Sequence, residues 1–156
     1  NWLQTSGTIN LRIMKKTINV IVIEDNENYN NMLSNAIQQS INQFLLKGSY
    51  QLVMRSFTDA NDFIRKIKLG KLECRDSIIF IDYYLGDGIN AGHITKILKE
   101  INVDTTIVLL SQSKAVREKS NMLPYDFFVV KDHLAPALCC MYMRQFIENK
   151  FCVTLG

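Results

Sequence analysis

The chain reads as one doubly wound α/β domain: a five-stranded parallel sheet with helices on both faces. Three observations predict it. The 156 residues suit a single hydrophobic core. Short, nearly continuous apolar runs such as Ile18–Ile23 and Ile107–Leu110 have the character of strands covered on both faces. These runs alternate with segments of helical period, and right-handed crossovers in a parallel sheet satisfy that order.

The elements follow in turn. Residues 1–13 show no clear period, and Met14-Lys15-Lys16-Thr17 reads like a native start, so 1–16 is expected to be an extension or an added segment. Ile18–Ile23 is the first strand and breaks off in Glu24-Asp25-Asn26-Glu27-Asn28. Apolar residues at Tyr29, Met32, Leu33, Ala36, Ile37, Ile41, Phe44 and Leu45 step by three and four, predicting a helix that Gly48 closes. Tyr50–Phe57 is the second strand, and Thr58 or Asp59 caps a helix over Ala60–Leu69. Ser77–Asp82 is the third strand, buried except for its last residue. Gly86-Asp87-Gly88 forms a loop before a helix over Ile89–Ile101. Thr105–Ser111 is the fourth strand, Lys114–Asn121 a short polar helix, and Phe127–Val130 the fifth strand, ending at Lys131. Asp132 is expected to cap a last helix to about Lys150, leaving 151–156 as a tail.

Composition excludes several classes. The net charge is +3, from 18 Lys+Arg against 15 Asp+Glu, and the basic residues are scattered, so direct nucleic-acid binding is not favoured. No apolar run approaches the roughly 20 residues of a membrane span. Cys74, Cys139, Cys140 and Cys152 form no C-x-x-C pair and lie far in sequence from His93 and His133, which argues against zinc. Four reduced thiols and no apolar leader imply a cytoplasmic protein.

The chemistry collects where the strands end. Ligands of doubly wound sheets bind beyond the C-terminal edge, and in the common strand order 2-1-3-4-5 the first, third, fourth and fifth strands lie side by side. Those strands end in Glu24-Asp25, Asp82, Ser111 and Lys131. Polar residues at one strand end mean little, since strand ends meet solvent. Complementary types at four ends mean more. Three carboxylates packed together repel and call for a cation, and all-oxygen ligands suit Mg²⁺.

This set, with the loop Asp82-Tyr83-Tyr84-Leu85-Gly86-Asp87-Gly88, resembles the receiver domain of two-component response regulators over residues 17–150. The resemblance implies the flavodoxin-like order 2-1-3-4-5 and makes Asp82 the acceptor of a phosphoryl group from a sensor histidine kinase or phosphotransfer protein. It gives Mg²⁺ to Glu24, Asp25, Asp82 and the backbone carbonyl of Tyr84. Ser111 would hydrogen-bond the phosphoryl group, Lys131 would pair with it, and Ser111 and Phe128 would form the switch. Such a chain is not an enzyme acting on other molecules, because it catalyses only its own phosphorylation and dephosphorylation. The resemblance also implies a response on the face of helix 4, strand 5 and helix 5, where homodimerisation is the commonest outcome. Asp82 is expected to be ionised at pH 7, with an ordinary pKa near 4.

Three residues depart from the family pattern. Asp132 follows Lys131 where proline is usual, Gln112 follows Ser111 where a small residue is common, and Phe128 lacks a tyrosine hydroxyl. They bear on rate and coupling, and they keep open a degenerate receiver that works only as an interaction module. Two rivals share parts of the pattern. A flavodoxin-like electron carrier needs a phosphate-binding loop after the first strand, where Glu24-Asp25-Asn26-Glu27 would repel phosphate. A phosphatase of the haloacid dehalogenase type needs an acid/base Asp where Tyr84 stands.

Overall fold

Strand and helix alternate five times in the computed structural model, which describes residues 15–120 and 122–156. The elements are β1 (Lys16–Ile23), α1 (Glu27–Leu46), β2 (Tyr50–Phe57), α2 (Ala60–Lys68), β3 (Ser77–Asp82), α3 (Ala91–Glu100), β4 (Thr105–Ser111), α4 (Ala115–Lys119), β5 (Phe127–Val130) and α5 (Ala135–Phe151). Every strand pair is parallel, in the order β2-β1-β3-β4-β5. The expected order holds. Residues 1–14 and Asn121 lie outside the described residues, and with them most of the expected extension and the expected end of α4.

The two-sided apolar strands build one apolar layer on each face of the single sheet. Ile18, Val20 and Val22 of β1 join Ile78 and Phe80 of β3 against Leu33, Ile37 and Ile41 of α1 and Cys139, Met143 and Ile147 of α5. Ile21 and Ile23, with Ile79 and Ile81, face Phe63 and Ile67 of α2 and Ile94 and Leu98 of α3. Successive residues point to opposite faces, so a strand buried on both must be apolar throughout. No described helix is long and apolar enough to cross a membrane, and all four cysteines are free.

The helix starts follow their caps. Asn26 caps α1 and Asp59 caps α2, each side chain accepting a first-turn backbone N–H. α3 begins at Ala91, two residues after the expected start, because Asn90 forms a capping box with His93: the Asn90 N–H donates to His93 Nδ1 at 3.1 Å. Asp132, expected to cap α5, does not. Its Oδ1 accepts the Leu134 N–H at 2.9 Å inside the preceding turn, and the helix starts at Ala135 with Pro136 in its first turn. Proline is preorganised for that turn and has no N–H to leave unpaired there.

Candidate functional site

The turn after β1 divides two adjacent carboxylates. The Glu24 N–H donates to the Phe57 carbonyl at 3.0 Å, and the buried Asn30 amide donates to the carbonyls of Glu24 and Phe57 at 3.1 Å each. This ties the turn to the end of β2. Glu24 is 3% exposed, and its Oε1 accepts the Asn26 N–H at 3.0 Å. Asp25 is exposed. One carboxylate oxygen each from Glu24, Asp25 and Asp82 lies within 4.8 Å of the others. Gly86, with φ +76°, closes the loop after β3 against them; a Cβ built there would lie 3.5 Å from Asp25 Oδ2. Its left-handed backbone is what demands glycine.

Asp82 is buried, contrary to the expectation that this strand end meets solvent. Glu24 and Asp25 after β1 and Lys131 after β5 stand around it. Lys131 Nζ pairs with Glu24 Oε2 and lies 3.1 Å from Asp82 Oδ2. The Lys131 N–H donates to the Ser111 carbonyl at 2.8 Å, joining the ends of β5 and β4. Burial first, then the Glu24 charge, pushes the Asp82 carboxyl up to about 6, with Lys131 opposing. The expected ordinary value near 4 is therefore corrected: Asp82 is mostly ionised at pH 7, at a cost.

Ser111 is buried, and its Oγ accepts the Ser113 N–H at 3.2 Å, which leaves the hydroxyl proton free for another acceptor. Gln112 is exposed. Phe128 is half-buried on the α2–α3 side of the sheet, with the Arg117 guanidinium 6.0 Å from its ring. Tyr84 is bridged to Asn90 through its backbone, and its exposed ring meets Tyr83 edge-on at 4.8 Å. The Asp132 N–H donates to the Val130 carbonyl at 2.8 Å, a bond that a proline there has no hydrogen to make.

No family model matches the chain, and no curated protein matches it in sequence. Solved structures match it in shape. The response regulatory domain of protein mrkE from Klebsiella pneumoniae aligns with TM-score 0.65 and 15% identity, over 87% of this chain and 100% of that one. The response regulator protein TrrA from Thermotoga maritima, in complex with Mg²⁺-BeF, aligns with TM-score 0.59 and 17% identity, over 83% and 98%. The isolated REC domain of RcsB from Salmonella enterica serovar Typhimurium, solved with phosphomimetic BeF₃⁻, gives 0.60 and 20%, over 86% and 90%. The fold is that of a receiver domain.

On this receiver fold the structure brings together Glu24, Asp25, Asp82 and Lys131, with Ser111 on the neighbouring strand end and Phe128 half-buried on the α2–α3 side of the sheet. Sequence reasoning missed Asn26, Asn30 and Tyr29. A signal for Asn30 was present: Asn30, Leu33, Ile37 and Ile41 are all buried on α1 at spacings of three and four, so one polar residue stands on the apolar stripe. A buried amide there must find partners, and the two carbonyls of the turn are those partners. Tyr29 begins the apolar series of α1, and nothing in that periodicity marks its ring as the neighbour of a lysine.

Proposed function

We propose that this chain is a phospho-acceptor receiver: Asp82 takes a phosphoryl group from a sensor histidine kinase or a phosphotransfer protein in a Mg²⁺-dependent reaction. One observation carries the reading. Three carboxylates and one ammonium converge at the C-terminal edge of a receiver sheet. The Mg²⁺-BeF and BeF₃⁻ complexes of TrrA and RcsB support it by likeness of fold.

The donor set fits a divalent cation. Three carboxylates against one ammonium leave an excess of negative charge, the donors are all oxygen, and Asp82 carries the penalty as a raised pKa. Glu24, Asp25, Asp82 and the Tyr84 carbonyl would hold Mg²⁺, with Glu24 shared with Lys131. When bound, the ion supplies positive charge to the phosphoryl oxygens. Asp82 is the nucleophile: its carboxylate oxygen forms a bond to phosphorus as the P–N bond of the donor phosphohistidine breaks. Lys131 offsets charge on the transferring group, and the Ser111 hydroxyl donates to one of its oxygens. With Ser111 drawn toward the phosphoryl group, Phe128 repacks by contact alone, since it has no hydroxyl to trade partners. The α4–β5–α5 face would then carry the signal, with homodimerisation as its outcome, in the cytoplasm.

Incubation with acetyl phosphate and Mg²⁺ is expected to add one phosphoryl group, read by intact mass. Protein that stays unmodified, and that also fails to bind beryllofluoride with Mg²⁺, would overturn the reading. Asp25→Asn is expected to weaken Mg²⁺ binding and slow this labelling together, because Asp25 is the exposed carboxylate facing solvent. A Mg²⁺ titration unchanged in Asp25→Asn removes Asp25 from the ligand set.

A further inference from the structure

Lys131 has a third neighbour besides its two carboxylates. Its Nζ lies over the ring of Tyr29, 4.5 Å from the centroid, and the lysine side chain is 6% exposed. An ammonium has three N–H donors, and a buried one loses water at each. Glu24 and Asp82 take two directions, and the electron-rich ring face takes up a third.

Two further observations tie the ring to this task. Tyr29 and Glu24 belong to one turn: Glu24 Oε1 accepts the Asn26 N–H, and Asn26 Oδ1 accepts the Tyr29 N–H at 2.9 Å. The same short bonded chain therefore places both the carboxylate and the ring that meet the ammonium. The Tyr29 hydroxyl, by contrast, is buried with no hydrogen-bond partner among the described residues. Its ring is thus placed by packing and by the turn, and the hydroxyl contributes no bond to that placement.

We propose that Tyr29 is a positioning residue whose ring face holds the Lys131 ammonium beside Asp82. The proposal rests on the phospho-acceptor reading for its consequence, the rate of phosphoryl uptake. Lysine is a point charge on a flexible stem, so two carboxylates alone leave its ammonium free to swing between them. The ring closes the remaining side. Replacing the ring with an aliphatic side chain of similar bulk leaves contact but removes the attraction, and the ammonium spreads over positions that serve the phosphoryl oxygens less well.

The test compares wild type, Tyr29→Phe and Tyr29→Leu. The first readout is the NMR shift of the Lys131 Hε protons, assigned by their loss in Lys131→Met. The ring current is expected to move them upfield in wild type and Tyr29→Phe, and not in Tyr29→Leu. The second readout is labelling by acetyl phosphate, expected to be about three- to ten-fold slower in Tyr29→Leu and restored to within about two-fold by Tyr29→Phe. Unshifted Hε protons in wild type overturn the proposal, as does labelling in Tyr29→Leu as fast as in wild type. Should Tyr29→Leu fail to fold, Tyr29→Met takes its place, and the wild-type shift still decides. If wild type takes up no phosphoryl group, the phospho-acceptor reading fails, while the Hε shift separately reports whether the ring holds the ammonium.

Discussion

Asp82→Asn is expected to take up no phosphoryl group from acetyl phosphate and, in the absence of Mg²⁺, to be more stable than wild type at pH 7. The first half follows from the proposed nucleophile. The second follows from burial. The folded-state pKa of Asp82 is raised from 3.8 to about 6, so the folded protein binds this proton more tightly than the unfolded chain does. Stability therefore falls as pH rises through that window, and the penalty is fully present above it. Each unit is worth about 1.4 kcal/mol, with the opposing pull of Lys131 already included, and solvent that reaches the site discounts the total, so the net gain is about 1–2 kcal/mol. Urea denaturation at several pH values checks it. The advantage of Asp82→Asn should shrink below about pH 4 and narrow on adding Mg²⁺, which would bind the wild-type site. An advantage of Asp82→Asn that is the same at pH 7 as at pH 4 would show that Asp82 carries no such penalty.

Lys131→Met should have the opposite effect, and a larger one. The Lys131 side chain is 6% exposed and pairs with the side chains of Glu24, 3% exposed, and Asp82, 11% exposed. Removing one partner of a buried pair costs about 3–5 kcal/mol, because the remaining charge is left without compensation. Here two carboxylates remain, facing each other. The expected loss at neutral pH is about 3 kcal/mol, recovered in part as Asp82 is protonated in acid or as Mg²⁺ is added. Labelling by acetyl phosphate should slow as well. An unfolding midpoint equal to that of wild type would mean that the ammonium does not bear on these carboxylates.

The strand assignments were legible because burial on both faces writes itself into composition. β2, β3, β4 and β5 have the bounds that their apolar runs predict. The helix starts were less legible, since a cap is a choice among neighbouring polar residues. His93, which in sequence is only too far from any cysteine for zinc, completes the capping box of α3. Asp132 had the chemistry of a cap, but Pro136 decides where α5 begins. At the site, sequence placed Glu24, Asp25, Asp82, Ser111 and Lys131 at the right edge. It could not tell Glu24 from Asp25, because their difference lies in which side chain the folded turn buries and which it leaves exposed. Nor could it show Asp82 as buried, since the residues around it come from the ends of other strands.

Adjacent residues of β5 belong to different interiors. Phe127 stacks on Tyr142 of α5, with ring centroids 4.1 Å apart and planes 18° from parallel, while Phe128 packs on the opposite face with Tyr125. A strand clamped in this way cannot rotate about its axis or slide along β4 without unpacking both layers together. Lys131 leaves the end of that clamp, its N–H bonded to the Ser111 carbonyl. The backbone thus contributes almost no freedom to the ammonium, and its reach is set by rotations within its own side chain. A charge change at Asp82 would be met there by rearrangement of that one side chain, a movement more local than any displacement of the sheet.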